Sequence, residues 1–255
     1  MSRDSFLSER RDSTGGLRAD ELLTWAVDKV GGAGGYWFDA TRRVDGGGFV
    51  LPVDPRSGET EADAYPYCGV PPNLGRACLD LLGDPTGVTF VDLGCGKGRM
   101  VALAAEQGFG SCVGVELDTG LAQVAERNLS HSRIRKVPRL GDVATIVNLD
   151  AREFEFPPAP LAIFLNNPFA VPILDVVLGH LGTSLQESPR PVAIVLMRRG
   201  VEDPANDSPT AELLAETPFL TGGPVPTGGP LRRLLLRGYA TFRFHGRDQF
   251  AARSV

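Results

Sequence analysis

Histidine is scarce in this chain, its cysteines follow no ligand spacing, and no apolar run is long enough to span a bilayer. There are three histidines in 255 residues, at 131, 180 and 245. An imidazole base or ligand cluster working near neutral pH therefore has few sources, and each of the three reads as an ordinary surface or core residue. The four cysteines, at 68, 78, 95 and 112, show neither C-x-x-C spacing nor a nearby histidine rhythm. Neither a metal site nor a disulfide framework is expected from them. No stretch approaches about eighteen apolar residues, and the polar start M-S-R-D-S-F-L-S-E-R-R-D has no apolar leader core. The cytoplasm is the expected location, with no membrane partner. A basic excess is missing as well: 26 Lys and Arg against 31 Asp and Glu leave a net charge of -5. Affinity for nucleic acid rests mostly on neutralising phosphates, so this balance argues against nucleic acid as a partner. The local run Arg133, Arg135, Lys136 and Arg139 reads as a solvated loop after a helix.

Two nucleotide-binding signatures are absent in an informative way. The run Phe90-Val91-Asp92-Leu93-Gly94-Cys95-Gly96-Lys97-Gly98-Arg99 reads as a buried strand, a glycine-rich turn and a helix start. A dinucleotide fingerprint G-x-G-x-x-G would place its third glycine at 99, where arginine stands. No lysine-serine or lysine-threonine pair follows, so a triphosphate loop is excluded too. Gly94, Gly96 and Gly98 form a different turn, one that lets a ligand approach the backbone closely. Glu116 ends the next strand, where its carboxylate can accept both hydroxyls of a ribose. Asp118 reads as the cap of a helix beginning near Thr119. Lys97 and Arg99 beside the turn could touch the carboxylate of a bound cofactor, but they read rather as a solvated helix start, although a cation there opposes the helix dipole.

Periodicity orders the rest of the chain. Residues 1–16 are expected to be flexible and 17–85 to form an N-terminal cap, with a helix over Leu17–Val30 and little regular structure from Gly31 to Pro72. A helix over Asn73–Leu82 leads into the main domain, 86–255. Strands are expected at Thr89–Leu93, Ser111–Leu117, Thr145–Leu149, Leu161–Leu165 and Val192–Met197. Helices fall at Arg99–Gln107, Thr119–Leu129, near Val171–Leu185 and near Ala211–Glu216. A long last strand, Leu234–His245, pairs antiparallel with a short one near 219–225. Short apolar strands alternating with helices make a mostly parallel sheet covered on both faces, with ligands at the carboxyl ends of its strands.

Residues 89–128, with T-F-V-D-L-G-C-G-K-G-R-M-V-A-L-A-A and G-V-E-L-D-T-G-L-A-Q-V-A-E-R-N, resemble the cofactor-binding half of class I S-adenosylmethionine-dependent methyltransferases. L-N-N-P-F at 165–169 resembles that family's loop after its fourth strand. The nearest flavour is a bacterial branch distantly similar to the non-SET histone-lysine methyltransferases, through Trp37, Phe38, Asp39, Val44, Asp45 and Gly48. The resemblance implies an α/β, Rossmann-like, doubly wound fold: a mostly parallel seven-stranded sheet with an antiparallel last strand, plus the N-terminal cap. It also implies S-adenosyl-L-methionine as cofactor. Asp92 would then hold the cofactor's ammonium, and Asp150, with Ala151 beside it, would face the adenine. Asp142 is the alternative, and Asp150 is preferred because T-I-V-N-L before it makes the better strand. Tyr67 and Tyr65 would sit over the pocket. Asn166, Asn167 and Phe169 resemble the asparagine-proline-aromatic loop of amino-group methyltransferases with one proline missing. They are the candidate catalytic residues, Asn166 also touching the cofactor.

The function implied is N-methylation of an amine in a small molecule or a protein side chain. Two rivals share parts of the pattern. A nicotinamide-dependent oxidoreductase would use Glu116 in the same way but fails at Arg99, and a non-catalytic scaffold would keep the fold and pocket without turnover. Oligomeric state is not legible.

Overall fold

A computed structural model describes residues 34–47, 49–50, 67–131, 140–166, 168–199, 208–225 and 239–246. The expected helix over Leu17–Val30, Tyr65, Asn167 and the basic run from Arg133 to Arg139 lie outside them.

The described elements in order are α1 (34–42), β1 (Phe49–Val50), β2 (Tyr67–Cys68), α2 (Pro72–Leu82), β3 (Thr89–Leu93), α3 (Arg99–Gln107), β4 (Ser111–Glu116), α4 (Thr119–His131), β5 (Ala144–Asn148), β6 (Leu161–Leu165), α5 (Val171–Glu187), β7 (Val192–Arg199), α6 (Pro209–Glu216), β8 (Leu220–Pro224) and β9 (Tyr239–Gly246). Seven strands form one sheet in the order β5-β4-β3-β6-β7-β9-β8. The five from β5 to β7 run parallel, and β9 pairs antiparallel with both β7 and β8. Both strands after β7 are thus antiparallel to their neighbours. The strand order reverses between β3 and β6, and a ligand crevice in such sheets opens there.

Side-chain alternation along each strand sends two sets of residues to two faces. Phe90 of β3, Phe164 of β6 and Val195 of β7 join Leu79 of α2, with Val101 and Leu103 of α3, in one core. Val91, Leu93, Ile163 and Ile194 join Leu174, Val177 and Leu181 of α5 and Leu214 of α6 in the other. The central strands β3 and β6 are buried along their whole length, which is why they read as continuous apolar runs rather than alternating ones.

One expectation about the cap is corrected. Residues 34–42, within a segment expected to be irregular, are helical. Phe38 of α1 is only 1% exposed and belongs to the α2 and α3 core, so a tertiary contact overrides the weak propensity of G-G-A-G-G. Glu106 fastens the segment: Oε1 accepts from Arg42 Nη2 at 2.6 Å and Oε2 from Arg76 Nη2 at 2.7 Å, joining α1, α2 and α3. Further along, Asn128 of α4 grips the backbone of Asp45, accepting from its N–H and donating to its carbonyl, both at 2.8 Å.

Candidate functional site: the pocket at the carboxyl ends of β3, β4, β5 and β6

The turn after β3 is built around backbone donors facing inward. The N–H groups of Gly94 and Cys95 both donate to the Val115 carbonyl at 2.9 Å, and that of Gly98 to Cys95 O at 2.9 Å. Gly94 and Gly96 have φ of 77° and 55°, a left-handed conformation that glycine adopts without steric cost. Each is also crowded, because a Cβ on Gly94 would meet the ring of Pro168 and one on Gly96 the ring of Tyr67. Gly98 ends the turn before α3 and faces Ala125 of α4.

Around this turn lies a pocket lined by Tyr67, Asp92, Glu116, Asp150, Asn166 and Phe169 among others. The fold therefore brings together nearly all the described candidates: Gly94, Gly96 and Ala151 line it too, whereas Gly98 lies one residue away, under α3. Asp142 does not line it. It stands exposed in a short 3-10 turn, Leu140–Asp142, before β5, at the opposite end of that strand from Asp150.

Two buried acids, Asp92 and Glu116, line the pocket. Asp92 is 3% exposed and accepts no hydrogen bond among the described residues. Burial, with Glu116 adding repulsion, pushes its carboxyl up to about 8. A buried carboxylate lacking a partner is costly, and an ammonium placed beside it would remove that cost. Glu116 is differently placed. Its Oε2 accepts from Gly96 N at 2.7 Å and its Oε1 from Asp118 N at 2.9 Å. Burial raises it to about 6, against the lowering effect of those backbone bonds. Glu116 is thus a brace for the turn as well as a pocket acid. Each oxygen retains a second lone pair for a ribose hydroxyl.

Beyond β5, Asp150 caps the 3-10 turn Ala151–Glu153 through Arg152 N at 2.9 Å and pairs with Arg152 Nη2 at 2.6 Å. Leu117, Leu121, Leu149, Ala151, Phe169 and Ile173 give this end an apolar wall suited to a flat base. Phe169 is 6% exposed and is packed within the α5 core. At the other end Asn166 Nδ2 donates to Cys68 O at 3.3 Å. Tyr67 sends its hydroxyl to Gly46 O at 2.6 Å, and burial raises its phenol well above the ordinary range. Asp118 caps α4 by accepting from Leu121 N at 2.8 Å.

Local reading missed the environment of two cations. Lys97 and Arg99 are not a solvated helix start. Lys97 Nζ donates to both oxygens of Asp45 at 2.9 and 3.0 Å and to Gly47 O at 2.7 Å. Arg99 is 8% exposed and lines the pocket. Its Nη1 donates to Val70 O at 3.0 Å and its Nη2 to both oxygens of Asp39 at 2.9 Å. The available signal was the misfit of an arginine with the positive end of a helix dipole.

Residues 91–163 match the model of a methyltransferase domain. A search of curated proteins finds no match. Among solved structures, the chain is similar to an RNA methyltransferase from Salinibacter ruber in complex with S-adenosyl-L-homocysteine, at 20% identity over 71% of this chain and 94% of that one, with a TM-score of 0.42. It is similar to a provisionally assigned RNA methyltransferase from Pyrococcus horikoshii, at 19% identity over 69% and 85%, with a TM-score of 0.46. A third is cofactor-bound Rv0187 from MTB, at 17% identity over 68% and 79%, with a TM-score of 0.44. These are likenesses of fold.

The expectation that the acidic balance argues against nucleic acid is corrected by them, since RNA methyltransferases stand among the similar structures. Net charge describes a whole surface and does not fix the potential at one pocket mouth. No helix among the described residues is long and apolar enough to cross a membrane.

The chemistry of the lining suits S-adenosylmethionine: Asp92, with no described hydrogen-bond partner, could take an ammonium, Glu116 could accept from hydroxyls, and the apolar wall could take a flat base. The nicotinamide reading falls. Residues 91–163 thus carry a methyltransferase domain, and its glycine turn and two acids meet in one pocket at the switch point of a Rossmann-like sheet.

Proposed function

We propose that this enzyme methylates an amine nitrogen, in a small molecule or in a protein side chain, in the cytoplasm. The observation that carries this reading is the orientation of Asn166. Its Nδ2 is committed to Cys68 O, which leaves Oδ1 as the acceptor at the pocket, and no described residue donates to it. An amide oxygen held there accepts an N–H bond and points the nitrogen lone pair along a fixed direction. Bound cofactor supplies an activated methyl group on a sulfonium, so the protein's part is alignment and exclusion of water. Pro168 against Gly94 stiffens the loop that carries Asn166. None of the described pocket-lining residues is a histidine, which suits an acceptor that is already a neutral amine better than a hydroxyl that must lose a proton. The narrower resemblance to non-SET histone-lysine enzymes supports a protein amine among the acceptors.

Transfer of a labelled methyl group from the cofactor to a panel of primary amines, lysine-containing peptides, hydroxyl compounds and RNA tests this. Label on an amine of a small molecule or peptide is expected, with rates rising as pH approaches the acceptor's own pKa. Label confined to hydroxyls or to RNA would overturn the acceptor class and leave the cofactor assignment standing.

A further inference from the structure

The amino-acid end of the cofactor is a zwitterion, and it needs a donor for its carboxylate as well as an acceptor for its ammonium. Asp92 provides the acceptor. Backbone N–H groups of a glycine turn are the usual donors to an anion, but in this turn four of them, from Gly94, Cys95, Gly96 and Gly98, are engaged. Gly94 and Cys95 donate to Val115 O and Gly98 to Cys95 O, while Gly96 donates to Glu116. Lys97 is occupied by Asp45 and Gly47.

Arg99 carries a side-chain donor that is not engaged. It lines the same pocket as Tyr67, Gly69 and Gly96, and its two Nη atoms are held by Val70 and Asp39. Its Nε is buried and has no partner, and no other described pocket-lining residue carries such an atom. A buried guanidinium N–H left without an acceptor is costly. Guanidinium offers five donors in a rigid fork, so it can serve two carboxylates at once. The neighbouring backbone is shaped around it: a Cβ on Gly46 would clash with the guanidinium, and one on Gly69 would approach Nη1 to 2.9 Å.

We propose that Arg99 holds the carboxylate of the cofactor's methionine end through Nε, with Asp39 fixing the guanidinium from the side of α1. Arg99 is then a cofactor-binding residue, and Asp39 a positioning residue acting through it. The arrangement ties cofactor occupancy to the 34–47 segment, because Asp39 also accepts from Gly46 N at 3.0 Å.

Calorimetric titration of the full chain with S-adenosylhomocysteine, with its decarboxylated analogue S-adenosyl-thiopropylamine, and with 5′-methylthioadenosine tests the assignment without turnover. In the unmodified protein, loss of the ligand's carboxylate is expected to weaken binding about tenfold or more. In the double variant Asp39→Asn/Arg99→Gln, that discrimination is expected to shrink to within about twofold, while 5′-methylthioadenosine binds as before. A variant that discriminates as strongly as the unmodified protein would overturn the proposal and leave Arg99 a strut. Asp39→Asn alone gives a second test, since it leaves one of the donors held by Asp39 facing an NH2 and loosens the guanidinium. S-adenosylhomocysteine should then bind a few-fold more weakly with 5′-methylthioadenosine unchanged. No change, or an equal change in both ligands, overturns the role. If 5′-methylthioadenosine fails to bind the unmodified protein, the cofactor assignment itself has failed, and the proposal falls with it.

Discussion

The ring of Tyr67 occupies the space that a side chain at Gly96 would need. The two residues come from different parts of the chain, one preceding α2 and the other in the turn after β3, and both line the pocket. Gly96 is therefore constrained twice, by its φ of 55° and by the ring.

Gly96→Ala is expected to lose about 2–3 kcal/mol of stability, roughly half from the left-handed backbone and half from displacing Tyr67. Urea unfolding measures it. Adding Tyr67→Ala should restore the packing part and not the backbone part, so the two changes should be non-additive. Simple additivity would show that the ring and the turn are energetically independent.

Asp92 makes the pocket sensitive to pH. Its carboxyl is pushed up to about 8 by burial first and Glu116 second. Between the ordinary value of 3.8 and about 8, the folded protein without cofactor holds a proton that the unfolded chain has released. Stability from this group is therefore full below the ordinary value and is lost as pH rises through about 8. A bound ammonium favours the ionised form and reverses the sign. Affinity for S-adenosylhomocysteine should rise from about pH 6.5 to about pH 8 and then level off, and the ligand's upward shift in Tm should be larger at the higher pH. Asp92→Asn without ligand should be more stable than the unmodified protein above about pH 8, with the advantage fading toward about pH 4, and its binding should lose the rise. A rise that survives in Asp92→Asn would assign the titration to another group.

Sequence reading located the sheet because its central strands need no context. Thr89–Leu93 and Leu161–Leu165 are buried on both faces, so they stand out as apolar runs, and both observed strands have the expected ends. The glycine turn and Glu116 were legible for a related reason, since their spacing is local. Two features were not. The helix at 34–42 forms on a glycine-rich stretch because Phe38 is buried among residues more than thirty positions away. Arg99 looked solvated because its acid partner, Asp39, is separated from it by 60 residues. The last strand is described over Tyr239–Gly246, and its expected beginning at Leu234 lies outside the described residues.

Glu116 braces the turn and lines the pocket, and a nearly isosteric change probes both positions. Both its oxygens accept backbone N–H groups, from Gly96 and Asp118. Glu116→Gln keeps the shape but presents an NH2 to one of those donors, so one buried N–H loses its partner whichever way the amide turns. The expected cost is about 1–3 kcal/mol of stability in the protein without ligand, with at least about tenfold weaker binding of S-adenosylhomocysteine. Thermal melts with and without ligand read both. Weakened binding at unchanged stability would mean that the carboxylate serves the ribose and braces nothing.

Asn166 should divide binding from turnover. Among the described residues its side chain makes one hydrogen bond, from Nδ2 to Cys68 O at 3.3 Å, and that bond can be lost without disturbing β6, whose residues end at Leu165. Asn166→Ala removes the bond and the acceptor oxygen together, and Asn166→Asp keeps an acceptor oxygen while losing the donor that orients it. If the oxygen aligns an amine, Asn166→Ala should lower kcat by about 100-fold while affinity for S-adenosylhomocysteine changes less than about fivefold. Asn166→Asp should fall between the two proteins, because its carboxylate can still accept from the amine but is no longer aimed. Parallel loss of affinity and turnover in both variants would make Asn166 a wall of the cofactor pocket, and the alignment of the acceptor would then have to come from another residue of the loop.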